Sequence, residues 1–176
     1  MQYEYISMDK LASPLAELHR YWHGLASGDG LPSWQDFDLS LVPPTVLPST
    51  MVIDIAPKIE HSVFRFWGSR MTDVHGADHT GKCPYDLQPP ALGARILVDH
   101  RKICETNKPN AAVYGYTSAK GFQQLQYTLH LPLSDDGERI TQIIAAIDFD
   151  ARIIREMKTR GIDMQEAVHR LKDAGD

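Results

Sequence analysis

Residues 122–149 constrain the fold more than any other stretch, because they read as two long strands joined by a tight turn. Over residues 122–133, Leu125, Tyr127, Leu129 and Leu131 fall on one face, and Gln124, Gln126, Thr128 and His130 fall on the other, the period of two that a pleated strand imposes. Asp135-Asp136-Gly137-Glu138 then reverses the chain, with glycine free to adopt the positive φ that hairpin turns need. Residues 141–149 are apolar on both faces, through Ile143, Ile144, Ala145, Ala146 and Ile147, as expected of a strand inside a sheet. Strands joined so closely pair antiparallel, so the chain must build an antiparallel sheet.

Three further strands are expected. Residues 51–56 and 63–67 are short, apolar and rich in β-branched or aromatic side chains, and a charged turn separates them as in a hairpin. Residues 111–118 end at the tight turn Ala119-Lys120-Gly121. Between the two groups, Gly68 ends a strand, residues 69–76 fit one or two helical turns, and Pro89-Pro90 precedes a helix over 91–105 closed by 107–110.

The flanks read as helical. Ser13-Pro14 opens an amphipathic helix carrying Leu15, Leu18, Trp22 and Leu25, with Gly28 as its stop. Pro32, Pro43, Pro44 and Pro48 turn residues 31–50 into a wrapping connector, with at most a short helical turn near 37–41. Asp150 can cap a helix over 151–160 ended by Gly161, and Asp163 with Glu166 opens another through Leu171, giving a broken helical tail. The expected architecture is α+β: a five-stranded antiparallel sheet with helices packed on one face, plus N-terminal and C-terminal helices. Residues 1–50 form the helix and connector, 51–150 the core, and 151–176 the tail.

Length and composition narrow the function classes. The 176 residues suit one domain, and 43% are hydrophobic, enough for a real core. A formal charge of −5 argues against duplex nucleic acid, which needs a lysine and arginine surplus. Cys83 and Cys104 show no CxxC spacing, so neither a disulfide framework nor structural zinc is indicated. The opening MQYEYISMDK lacks a signal-peptide pattern, and no apolar run approaches the roughly 18 residues that span a bilayer. A cytoplasmic protein without membrane contact is expected.

The element order and three colinear stretches, YWHGLASGDGLPSWQDFDLSLVPP, FRFWGSRMTDVHGADHTGK and LHLPLSDDGERITQIIAAI, together resemble a PAS domain, and more narrowly a bacterial group of stand-alone PAS-like proteins. The resemblance covers roughly Trp22 to Phe149. Where the group often has an arginine after the proline-serine pair, this chain has Trp34. The resemblance implies a sensory or adaptor module in signal transduction that binds a small ligand between sheet and helices, or a protein partner, and forms a homodimer. With no kinase or cyclase in this sequence, its output passes through a signalling protein partner.

On that arrangement the ligand-binding wall is expected from Phe66, Met71, Val74, Tyr85, Ile96, His100, Ile103, Tyr114, Tyr127 and Ile144. His100 falls on the apolar stripe of the 91–105 helix, beside Ile96, Leu97, Ile103 and Cys104. It reads as a core histidine with one hydrogen bond or a polar handle for an organic ligand. Haem held by His100 is the analogy-based alternative. The flavin motif around a reactive cysteine is absent, since Cys83 lies in GKCPYDL. The cofactor is therefore left open.

Arg65 and Arg70 straddle the Gly68 break and read as structural forks to a carboxylate or carbonyl, with anion recognition as the alternative. Asp73, His75, Asp78 and His79 include metal-ligand types, but a capping or turn role fits better. The i, i+4 pair His19 and His23 lacks a third ligand. No metal and no catalytic residue is assigned, and the chain is not read as an enzyme. Two alternatives stand: a small α+β enzyme using His100 with Asp99 or Asp148 as an acid–base pair, and a pure interaction domain with a filled core and an exposed groove along Leu15, Leu18 and Trp22.

Overall fold

The computed structural model describes residues 1–26, 30–118, 121–150, 155–156 and 159–173. Six strands form one sheet: β1 (Gln2–Ile6), β2 (Thr50–Asp54), β3 (Val63–Trp67), β4 (Asn110–Thr117), β5 (Gln123–Leu133) and β6 (Gln142–Asp148). Their order across the sheet is β1-β4-β5-β6-β2-β3, and every neighbouring pair is antiparallel. Four α-helices lie wholly within the described residues: α1 (Leu15–Leu25), α2 (Ser69–His75), α3 (Pro90–Thr106) and α4 (Met164–Asp173). The fold is α+β, as expected.

β6 lies between β5 and β2, which accounts for its apolar residues on both faces. One face carries Met51, Ile53, Phe64, Ala112, Tyr114, Tyr116, Ala145 and Ile147 and is covered by α2 and α3. The opposite face carries Val52, Ala111, Val113, Leu125, Leu129, Leu131, Ile144 and Ala146. It is covered by α1 through Leu15, Leu18 and Trp22, by the proline-rich connector through Phe37, Val42 and Val46, and by α4 through Ala167, Val168 and Leu171. The Trp22 indole donates to the Pro132 carbonyl at 2.9 Å and pins α1 across β5.

Several local devices fix these elements. Asn107 takes a left-handed conformation and ends α3. The Asp163 carboxylate accepts from the Glu166 amide at 2.9 Å and opens α4. Ser13 does not cap α1; its hydroxyl donates instead to the Glu17 carboxylate, and the helix begins at Leu15. The expected roles of Gly28, of Ala119 and Lys120 in their turn, and of most of the 151–160 helix lie outside the described residues.

The sheet has six strands rather than five. The addition is β1, paired with β4 from Gln2 opposite Gly115 to Ile6 opposite Ala111. Residues 2–6 thus supply an edge strand to a core expected only from 51–150. Among the described residues no helix is long and apolar enough to cross a membrane.

Candidate functional site

The 17 residues of α3 lie over the sheet and enclose a hollow of about 10 Å³, close to the least volume that admits one water molecule. Its apolar wall is Met51, Ile53, Phe64, Ala145 and Ile147 from the sheet and Ile96 from the helix. Its polar wall is His100 from α3, Tyr114 from β4, and Gln126, Thr128 and His130 from β5. Gln126, Thr128 and His130 of the alternating polar row of β5 therefore lie buried beneath α3, while Gln124 is half-buried.

Three of these polar groups decide the character of the hollow. His100 is 0% exposed, and neither ring nitrogen has a hydrogen-bond partner. The Thr128 hydroxyl is buried and also lacks a partner. His130 is held by Asn110, whose side-chain oxygen lies 2.9 Å from Nδ1, and its ring meets His100 edge-on at 5.6 Å between centroids. Burial pushes His100 down to about 3, with the neighbouring His130 adding to the effect and Asp99 opposing it. Burial likewise pushes His130 down to about 4, against Asp99. Both imidazoles are neutral at neutral pH.

Next to His100 on α3, Asp99 is fully buried and gathers three donors. Tyr5 of β1 donates at 2.6 Å, Tyr114 of β4 donates, and Arg95 pairs with it along the helix. Burial pushes the Asp99 carboxyl up, but these hydrogen bonds outweigh it and leave it below the usual carboxylate range. Burial, and then Asp99 against the opposing charge of Arg95, push Tyr5 up to about 12 and Tyr114 well above the ordinary phenol. Arg95 also lies 3.9 Å over the Tyr3 ring and Lys102 4.1 Å over the Tyr5 ring. This carboxylate is thus a pin joining α3, β1 and β4.

Of the ten residues expected to line a ligand wall, the hollow brings together Ile96, His100 and Tyr114. Met71 and Val74 pack in the same layer without lining it, and Ile103 packs with Ile140 and Ile143. Tyr85 is 52% exposed. Phe66, Tyr127 and Ile144 lie on the opposite face, against the α1 layer. The reason is register: Tyr114 stands opposite Gln126, and residues directly opposite share a face, so Tyr127 points away. Sequence reasoning missed Thr128 and His130, whose signal was the polar row on β5. It also missed Tyr5 and Arg95, for which the sequence offered no signal beyond the Tyr-Glu-Tyr alternation.

The other candidates resolve as follows. Arg70 forks onto Asp150 at 2.7 and 3.3 Å and lies over Phe149, tying α2 to the end of β6. Arg65 pairs with Asp54 at 2.7 Å on the exposed hairpin and reaches over Trp34. Asp78 accepts from the amide and hydroxyl of Thr80 and shapes a turn. His75 and His79 pack around Trp67, and burial, with His79 nearby, pushes His75 down to about 4. His19 stacks on Trp22. The Cys83 thiol donates to the Glu60 carbonyl. Among the described residues no group of three or more His, Cys, Asp or Glu is placed to hold a metal ion.

No protein-family model matches the chain, and no curated protein matches it. Solved structures with a similar fold include VqmA bound to DPO, at 16% identity and a TM-score of 0.48, over 60% of this chain and 54% of that one. An RNA-binding Light-Oxygen-Voltage receptor aligns at 15% identity and 0.48, over 69% of this chain and 34% of that one. The Rhodobacter sphaeroides LOV protein aligns at 11% and 0.48, over 72% of this chain and 83% of that one. The chain therefore spans about half or less of the length of the first two.

Proposed function

We propose that this chain is a PAS-like sensory or adaptor domain: a cytoplasmic, homodimeric bacterial module that takes a small ligand between α3 and the sheet and passes the change to a protein partner. The observation that carries this reading is His100, fully buried beside a hollow with both ring nitrogens unpartnered. Buried polar groups are nearly always hydrogen-bonded, and an exception calls for a functional explanation. A leucine there would fill the space without that cost.

The hollow is water-sized at rest, so any larger ligand must lift α3 from the sheet. Asp99 links that movement to Tyr5 on β1 and to Tyr114 on β4. α4 packs on both strands, with Lys172 reaching Glu4 at 3.1 Å. Occupancy of the hollow thereby becomes a shift in how the first strand and last helix sit, a change of population between two arrangements. With a formal charge of −5, a protein is a better partner than a duplex.

The small size of the hollow favours one competing reading, an interaction domain that takes no ligand. Its other expected mark does not match, since Leu15, Leu18 and Trp22 are buried against the sheet and line no exposed groove. The acid–base alternative has weaker support. An imidazole pushed down to about 3 is a poor base at neutral pH, and Asp99 is committed to Arg95, Tyr5 and Tyr114.

Native mass spectrometry of the purified protein, with its absorption spectrum, tests the proposal. The wild type should be dimeric and carry a small non-covalent mass that His100→Leu loses while keeping its circular dichroism spectrum. Identical ligand retention by His100→Leu would move the site away from the hollow. A wild type that carries nothing and binds nothing from a metabolite panel would favour the ligand-free adaptor.

A further inference from the structure

We propose that the hollow selects a small uncharged molecule bearing a hydrogen-bond donor and an acceptor side by side, the chemistry of an amide or an alcohol. This deepens the sensor reading and rests on it. Two unpartnered groups line the hollow: the His100 ring from the helix and the Thr128 hydroxyl from β5. A neutral imidazole offers one donor and one acceptor, and a hydroxyl offers both. A molecule carrying both a donor and an acceptor can bridge them in either tautomer of the ring.

Charge is excluded by the surroundings. The carboxylate adjacent in sequence, Asp99, already receives Arg95, Tyr5 and Tyr114. The Arg95 guanidinium is engaged by that carboxylate and by the Tyr3 ring. A cation or an anion entering the hollow would find no unpaired counter-charge and would lose its hydration among Met51, Ile53, Phe64 and Ile147. Burial keeps His100 and His130 neutral, in agreement with this.

On the helix side, Ile96 is the apolar side chain that bounds the hollow. The volume of about 10 Å³ admits water, which has the required donor and acceptor. An organic molecule of the same chemistry enters only as α3 rises or as the Ile96 wall recedes. Trimming Ile96 therefore separates a site that merely stores water from one that recognises the chemistry.

The test uses ring-¹⁵N-histidine protein, wild type and Ile96→Ala, titrated with acetamide, acetate and acetamidinium, which share one shape and differ in charge. Acetamide should move the His100 ring resonances saturably in Ile96→Ala, and adding Thr128→Val should weaken it about tenfold, the effect of one lost hydrogen bond. Acetate and acetamidinium should leave the ring unmoved. An equal response to either ion overturns the charge selectivity and leaves the sensor reading intact. Silence toward all three probes in folded Ile96→Ala overturns the hollow as a ligand site, and the sensor reading with it. Should Ile96→Ala fail to fold, Ile96→Val carries the same comparison.

Discussion

At residue 100 a titratable ring occupies a position that stability alone would give to carbon, and the consequence is a pH-sensitive core. A histidine in the unfolded chain titrates near 6.5, whereas burial holds His100 at about 3 and His130 at about 4. As pH falls through 6.5, the unfolded chain binds protons that the folded chain refuses. The stability these rings permit is therefore fully present above about pH 6.5. It is lost toward pH 4 by up to about 1.4 kcal/mol per pH unit per histidine. Asp148, whose carboxyl burial pushes up, acts in the opposite sense at lower pH. Urea unfolding should lose about 4 kcal/mol between about pH 7.5 and about pH 5.5, about 1.4 kcal/mol from each of His100, His130 and the similarly lowered His75, and about a third less in His130→Gln. An unchanged difference in that variant would mean that His130 is not a source.

The elements differ in how openly the sequence declared them. The β5–β6 hairpin, the β2–β3 hairpin and α3 are written in local patterns: alternation, turn glycines, and a proline pair before an apolar stripe. β1 also alternates, as Gln-Tyr-Glu-Tyr-Ile, but it spans only five residues. Its place is set by partners about a hundred positions away, the β4 edge and Arg95, Asp99 and Lys102 on α3. The side of the sheet on which each strand residue falls was equally hidden. Alternation gives a period, but α1 and α3 both offer apolar stripes, so either face could have been the ligand side. That is why Tyr127 and Ile144 fall on the α1 side of the sheet while Ile96 and His100 line the hollow under α3. Close packing of α3 shows at Gly93, where a Cβ would stand 2.0 Å from the Pro84 carbonyl oxygen and 2.9 Å from its carbon. Gly93→Ala should therefore cost about 1–3 kcal/mol in urea unfolding by forcing backbone against backbone. Gly24 on α1 has nothing within 4 Å of its Cβ position, and Gly24→Ala should gain up to about 1 kcal/mol from helix propensity. Equal effects at the two glycines would mean that α3 does not bear on the 84–86 turn.

Across the whole molecule, the two ends of the chain meet on the same side of the sheet. β1 forms the edge, α4 packs over β1 and β4, and Met164 and Val168 fill the space that Gly115 leaves open. The Asp99 pin joins this clasp to α3, and α3 roofs the hollow. A disturbance inside the hollow should therefore be felt first at the chain ends, with the central strands less affected. Ile96→Trp supplies such a disturbance without a ligand, since the larger ring must push α3 away from Ala145 and Ile147. Hydrogen exchange should then quicken about tenfold in residues 2–6, while β6, bonded on both sides, changes little. Tyr5→Phe added to Ile96→Trp removes the direct bond between β1 and the pin. If the pin transmits the strain, the effect of Ile96→Trp on residues 2–6 should shrink once β1 is already released. A uniform acceleration across all six strands would instead mean global destabilisation, and the path from hollow to edge strand would have to be abandoned.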